Sequence, residues 1–124
     1  MRAIVIDDSR AMRTILKKSL TEVGFSVIGE AGHGRDGLAK LREVGAPDLV
    51  LVDWNMPEMN GFEFLVAVRS ERAWDGVRVV MVTTETEFEH ISEALHAGAN
   101  EYLMKPFTAD ALREKLALVG LEVH

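Results

Sequence analysis

Three aspartates, two threonines and a lysine occupy one kind of position in this chain. Asp7 and Asp8 follow the apolar run Ala3–Ile6, and Asp53 follows Leu49–Val52. Thr83 and Thr84 follow Val77–Val82, and Lys105 follows Tyr102–Met104. If those runs are parallel strands of one sheet, the residues past their carboxyl ends gather on one rim, where open α/β sheets keep their ligand crevice. Singly, an Asp or Thr behind a strand is as readily a helix cap. Jointly, carboxylates, hydroxyls and a cation on one rim point to phosphate chemistry.

The charges narrow that chemistry. Two carboxylates about 4 Å apart repel by roughly 4 kcal/mol at an effective dielectric of 20, so three crowded together need a cation or displaced pKa values. An all-oxygen ligand set favours Mg²⁺ or Mn²⁺ over softer metals. The expected arrangement uses Asp7 or Asp8, Asp53, a backbone carbonyl near Asn55, waters and an incoming phosphoryl group. With repulsion offset, an Asp53 oxygen can attack phosphorus to give an aspartyl phosphate. Lys105 offers a point charge to one phosphoryl oxygen, and the Thr83 hydroxyl with nearby backbone N–H groups can serve others.

The elements that must position these groups are legible as an alternation. Besides the three unbroken Val- and Ile-rich runs, weaker ones lie at Phe25–Ile28 and Tyr102–Met104. Unbroken runs suit parallel strands buried on both faces. Between them, helical stripes comprise Met12, Ile15, Leu16, Leu20 and Val23; Leu38 and Leu41; Phe62, Leu65, Val66 and Arg69; Phe88, Ile91 and Leu95; and Leu112, Leu116 and Val119. Asn60-Gly61-Phe62-Glu63 and Thr86-Glu87-Phe88-Glu89 read as capping boxes, and Gly24, Gly45, Gly98 and Gly120 sit where helices end. Five β-α units imply a doubly wound α/β fold, a parallel sheet covered on both faces by right-handed crossovers.

Composition bounds the rest. At 124 residues the chain is expected to be one domain, 1–124. It contains no cysteine, which excludes disulfides and thiolate metal sites. A net charge of −6 argues against a nucleic-acid-binding face. The apolar runs are of strand length, short of the roughly 20 residues a membrane span needs, and Met1-Arg2-Ala3 opens without a signal-peptide pattern. A cytoplasmic monomer is expected, with neither nucleic acid nor membrane among its partners.

Asp7-Asp8, the stretch Asp53-Trp54-Asn55-Met56-Pro57-Glu58-Met59-Asn60-Gly61, Val82-Thr83 and Lys105-Pro106-Phe107 together resemble a response-regulator receiver domain of two-component signalling. The resemblance covers essentially the whole chain, and within the family it runs to the single-domain chemotaxis type that acts on the flagellar motor. It implies a flavodoxin-like sheet in the order 2-1-3-4-5 with five helices, an order taken from the resemblance and not from periodicity. It further implies Asp53 as phospho-acceptor from a histidine kinase, Asp7, Asp8, Asp53 and the Asn55 carbonyl around Mg²⁺, and Thr83 and Lys105 on the phosphoryl group. Thr83 and Tyr102 would form the switch, Asn55 and Glu85 would tune the phosphate's exposure to water, and Lys105–Pro106 would be cis. The output would be a fourth-helix, fifth-strand, fifth-helix surface drawn from Phe88, Ile91, Leu95, Tyr102, Met104 and Lys115. It would meet a flagellar motor switch or phosphorelay protein, and a phosphatase is a further partner. Glu87-Phe88 stands where the motor regulator has lysines, which alters partner choice.

A phosphorelay shuttle or a receiver cut from a larger regulator are the alternatives. A Mg²⁺-dependent phosphatase with an aspartyl nucleophile is more distant, because Asn55 replaces the second Asp usual in that superfamily. Gly32-His33-Gly34-Arg35-Asp36-Gly37 matches a dinucleotide fingerprint literally but does not follow the first strand. His33, His90, His96 and His124 lack metal spacing and read as solvated, Trp54 as packed beside the site, and Trp74 as a loop residue.

Overall fold

The computed structural model describes residues 1–84 and 90–121. β1 (Arg2–Ile6), β2 (Ser26–Ala31), β3 (Leu49–Asp53), β4 (Arg78–Thr83) and β5 (Glu101–Met104) alternate with α1 (Arg10–Glu22), α2 (Gly34–Val44), α3 (Gly61–Arg69), α4 (Ile91–Ala97) and α5 (Ala109–Leu118). The strands form one parallel sheet in the order β2-β1-β3-β4-β5, as expected.

Alternation along the buried strands builds two cores. Ile4, Ile6, Val50, Val52, Val79 and Met81 face α2, α3 and α4. Ala3, Val5, Leu49, Leu51, Val80 and Val82 face α1 and α5 through Leu16, Leu20, Leu112 and Leu116. Adjacent side chains in a strand point to opposite faces, so an unbroken apolar run serves both layers at once.

Caps set the helix entries. Ser9, His33, Asn60 and Thr108 each accept a backbone N–H at the start of α1, α2, α3 and α5, and Asn60 with Glu63 forms the expected reciprocal capping box. The second such motif, residues 86–89, lies outside the described residues.

The helical stripes were partly misjudged. Ile15 and Val66 are exposed and Phe64, outside the expected stripe, is fully buried. Leu95 is exposed, as an output-surface residue should be, but Ile91 is nearly buried and belongs to the core instead of that surface. In α3 the buried face is Phe64, Leu65 and Val68, one notch round from the stripe read through Phe62 and Val66. An apolar face wider than the buried one leaves its edges ambiguous. Trp74 is also no bare loop residue. It is buried in a 3-10 turn, Arg72–Trp74, with the Arg42 guanidinium 5.8 Å from its ring.

Candidate functional site

Parallel register brings the strand ends to one rim. Val52 pairs with both Ile6 and Met81, and Asp53 pairs with Val82, so Asp7 and Asp53 stand side by side at the sheet's rim and Thr83 lies one residue further along β4. Asp7, Asp53 and Thr83 are buried, while Asp8 is exposed. One carboxylate oxygen from each of Asp7, Asp8 and Asp53 lies within 4.8 Å of the others.

Asp7 is held from several sides. Its N–H donates to the Ala31 carbonyl at 3.0 Å, and its carboxylate accepts the Ser9 N–H at 2.9 Å. Its carbonyl accepts from the Arg13 guanidinium at 2.6 Å. Arg13 in turn pairs with Glu30 at 3.0 Å, and Lys17 also bonds Glu30. The Lys17 hydrogen bond lowers the Glu30 pKa, with Arg13 assisting against the opposing effect of burial.

Lys105 reaches the cluster from the end of β5. Its Nζ lies 3.0 Å from Asp53 Oδ1 and 3.4 Å from Asp7 Oδ2. Burial works to lower its pKa, but the hydrogen bond and charge of Asp53, reinforced by Asp7, outweigh it and hold the ammonium above the ordinary lysine value. The three carboxylates beside the ammonium form a centre of all-oxygen donors. That donor set fits a small hard divalent cation, and the residues that would hold it are Asp7, Asp8 and Asp53.

The loop after Asp53 is closed by glycine. Gly61 N–H donates to the Trp54 carbonyl at 2.9 Å, and a Cβ there would stand 2.4 Å from the Asp53 carbonyl oxygen. Only a residue without a side chain lets α3 start this close to the acidic strand end. Asn55 is exposed on this loop. Glu58 takes a positive φ of 65° and its carboxylate lies 3.1 Å from His33 Nε2, which ties the loop to α2. His33 is therefore engaged at both ring nitrogens, since Nδ1 accepts the Asp36 N–H at 3.3 Å. His90 is stacked on Trp54. The expected solvent exposure holds for His90, which is exposed even while stacked, whereas His33 is half-buried.

Thr83 donates its hydroxyl to the Thr84 carbonyl at 3.3 Å. Tyr102 lies on β5 with the Lys115 ammonium 4.1 Å from its ring centroid, and Lys115 also lies 3.4 Å from Glu101. Beside them is a groove of about 360 Å³ lined by Tyr102, Met104, Pro106, Phe107, Ala111 and Lys115. Lys105–Pro106 is cis, as expected. Glu85, Glu87 and Phe88 lie outside the described residues. The glycine fingerprint is accounted for by packing: a Cβ on Gly34 would meet Met59, and one on Gly37 would meet Ile6 at 2.4 Å.

Comparison with known proteins agrees with this geometry. The family model for the response regulator receiver domain matches residues 3–117. The chain is 40% identical over 119 residues to the chemotaxis protein CheY1 of Helicobacter pylori, covering 96% of each chain. It is 42% identical over 116 residues to a CheY homologue of Campylobacter jejuni, covering 94% of this chain and 89% of that one. Among solved structures it is similar to the chemotaxis response regulator CheY4 of Vibrio cholerae, with a TM-score of 0.83, 36% identity and coverage of 95% and 97%. CheY of Borrelia burgdorferi, in a complex with CheX, BeF₃ and Mg²⁺, has a TM-score of 0.89 over 98% of this chain and 90% of that one; at 23% identity it speaks to the fold alone.

Proposed function

This chain belongs to the response regulator receiver domain family, and on that premise we propose that Asp53 is the residue through which it accepts a phosphoryl group. Its relatives make it a phospho-accepting response regulator of the chemotaxis type. The observation that carries the residue assignment is the cluster of Asp7, Asp8 and Asp53 donors within 4.8 Å with Lys105 Nζ 3.0 Å from Asp53.

The donor is a phosphohistidine on a partner histidine kinase. An Asp53 carboxylate oxygen forms the new P–O bond as the P–N bond to imidazole breaks, and the leaving imidazole takes up a proton. Asp7, Asp8, Asp53 and the Asn55 carbonyl would hold Mg²⁺ or Mn²⁺, which would supply positive charge against the acidic cluster and the phosphoryl oxygens. Lys105 exchanges its contact with Asp53 for one with the transferred group, a position that costs little reorganisation because the ammonium is already in place. The Thr83 hydroxyl turns to another phosphoryl oxygen. Asn55 and Glu85 govern how water reaches phosphorus in the reverse, hydrolytic step. The chain is a signalling regulator, and these covalent steps act only on itself.

Phosphorylation shifts the population between two packings of the α4-β5-α5 surface by as much as the phosphoryl group's differential contacts allow. Tyr102, Lys115 and the groove beside them form its described part. The partner is a flagellar motor switch or phosphorelay protein, and the setting is cytoplasmic; no helix among the described residues is long and apolar enough to cross a membrane.

The test is incubation with acetyl phosphate and Mg²⁺ followed by mapping of the adduct by mass spectrometry. A single phosphoryl group on Asp53, absent from Asp53→Asn and after removal of divalent cations, is the expected result. An adduct that survives Asp53→Asn overturns the assignment.

A further inference from the structure

The described helices differ in one detail at their entries. Ser9, His33, Asn60 and Thr108 each turn a side chain back to accept a backbone N–H of the helix they precede. His90, at the corresponding place before α4, makes no such bond. Its imidazole lies instead on the indole of Trp54, with ring centroids 5.1 Å apart and planes inclined by 17°. The four capping residues have extended backbones, whereas the His90 backbone is helical (φ −88°, ψ −7°), which turns its ring away from the α4 N–H groups and leaves it to the indole.

Trp54 is a fixed platform. Its N–H donates to the Val82 carbonyl at 3.3 Å, its carbonyl accepts the Gly61 N–H at 2.9 Å, and its ring lies 5.8 Å from that of Phe62. It is also the residue next to Asp53. His90 directly precedes α4, whose Ile91 and Ala94 are buried, so any displacement of that end of α4 must carry the His90 ring with it. The stack thus ties the entry of α4 to the residue next to Asp53. In this packing Lys105 is bonded to Asp53 and the Thr83 hydroxyl to the Thr84 carbonyl, contacts that a phosphoryl group on Asp53 would replace.

We propose that the His90–Trp54 stack is a latch that favours this packing and thereby sets how readily Asp53 reaches its phosphorylated form. His90 is a positioning residue that acts through Trp54, and the inference rests on the reading of Asp53 as phospho-acceptor. A flat aromatic contact of this kind biases a two-state equilibrium by about two- to tenfold.

The experiment compares wild type, His90→Ala and His90→Phe in a Trp74→Phe background, where emission reports Trp54 alone. The expected results are altered Trp54 emission in His90→Ala and acetyl phosphate-driven phosphorylation about two- to tenfold faster, with cooperative unfolding retained at a midpoint lowered by about a few degrees. His90→Phe, which keeps a flat ring, restores the wild-type rate. Equal rates in wild type and His90→Ala, or failure of His90→Phe to restore the rate, overturn the latch and leave the phospho-acceptor reading intact. Absence of any adduct on wild-type Asp53 overturns that reading, and the latch with it.

Discussion

The Lys105 ammonium lies 3.0 Å from the Asp53 carboxylate, although 52 positions separate the two in the chain. The contact crosses β4, because Asp53 ends β3 and Lys105 follows β5. It sets a positive charge against a buried carboxylate, and the same ammonium reaches Asp7 at 3.4 Å. On the proposed reading, structural stability and phosphoryl chemistry draw on one side chain.

That sharing has a pH signature. The Lys105 pKa is raised in the fold, so its contribution is complete below the ordinary lysine value and is lost as pH rises through the higher folded value. Lys105→Met is expected to lower stability by about 1–3 kcal/mol at neutral pH, the range for removing one partner of a largely buried ion pair. In urea titrations the difference between wild type and variant should hold to about pH 10 and shrink above it. A difference that grows with alkalinity contradicts the assignment.

The acidic cluster predicts an opposite effect for Asp8. Asp8→Asn removes one of three mutually repelling charges, so without divalent cations the variant should be more stable, by about 1 kcal/mol. Saturating Mg²⁺ should stabilise the wild type by roughly 2.7 kcal/mol at a hundredfold excess over Kd, and the variant by less than half of that. Thermal midpoints with and without MgCl₂ measure both terms. Equal Mg²⁺ shifts in the two proteins would place the cation elsewhere.

The rim was legible because it needs only residue type and strand position: Asp7, Asp53, Thr83 and Lys105 each abut an apolar run. The sheet order was not, since periodicity marks strands without saying which are neighbours. The supporting contacts were hidden for a related reason. Arg13 meets Glu30 across 17 positions, and Glu58 meets His33 across the α2–α3 side; neither pair has a local signature. The literal glycine fingerprint misled in the other direction, because Gly34 and Gly37 are small to admit Met59 and Ile6, not a phosphate.

Arg69 shows how the opposite rim is secured. Its guanidinium donates to the carbonyls of Gly98, Trp74 and Val77 and to Asn100 Oδ1, at 2.8–3.1 Å. Burial holds its pKa below the usual arginine value, with Asp75 opposing and Arg78 adding to the fall. Arg69→Met should cost about 2–4 kcal/mol by leaving several acceptors unpaired. Arg69→Lys should recover little, since a single ammonium cannot span the fork. Folded variant protein should still form the Asp53 adduct at the wild-type rate. Loss of adduct from a fully folded Arg69→Met protein would mean that this rim communicates with the site.

Tyr102 offers the sharpest test of the output surface. Its ring carries the Lys115 ammonium at 4.1 Å, and Lys115 also lies beside Glu101, so moving the ring must also break or carry a cation–π contact worth about 0.5–2 kcal/mol. Tyr102 lies on β5 with its ring against Lys115 of α5, and Tyr102→Ala should phosphorylate within about twofold of wild type. What it should lose is the response. Hydrogen–deuterium exchange across β5 and α5 is expected to change when wild type takes up beryllofluoride and Mg²⁺, and to stay nearly constant in Tyr102→Ala. Tyr102→Phe, which keeps the ring and the cation–π contact, should retain most of the change. An undiminished exchange response in Tyr102→Ala would show that the surface switches without its aromatic residue.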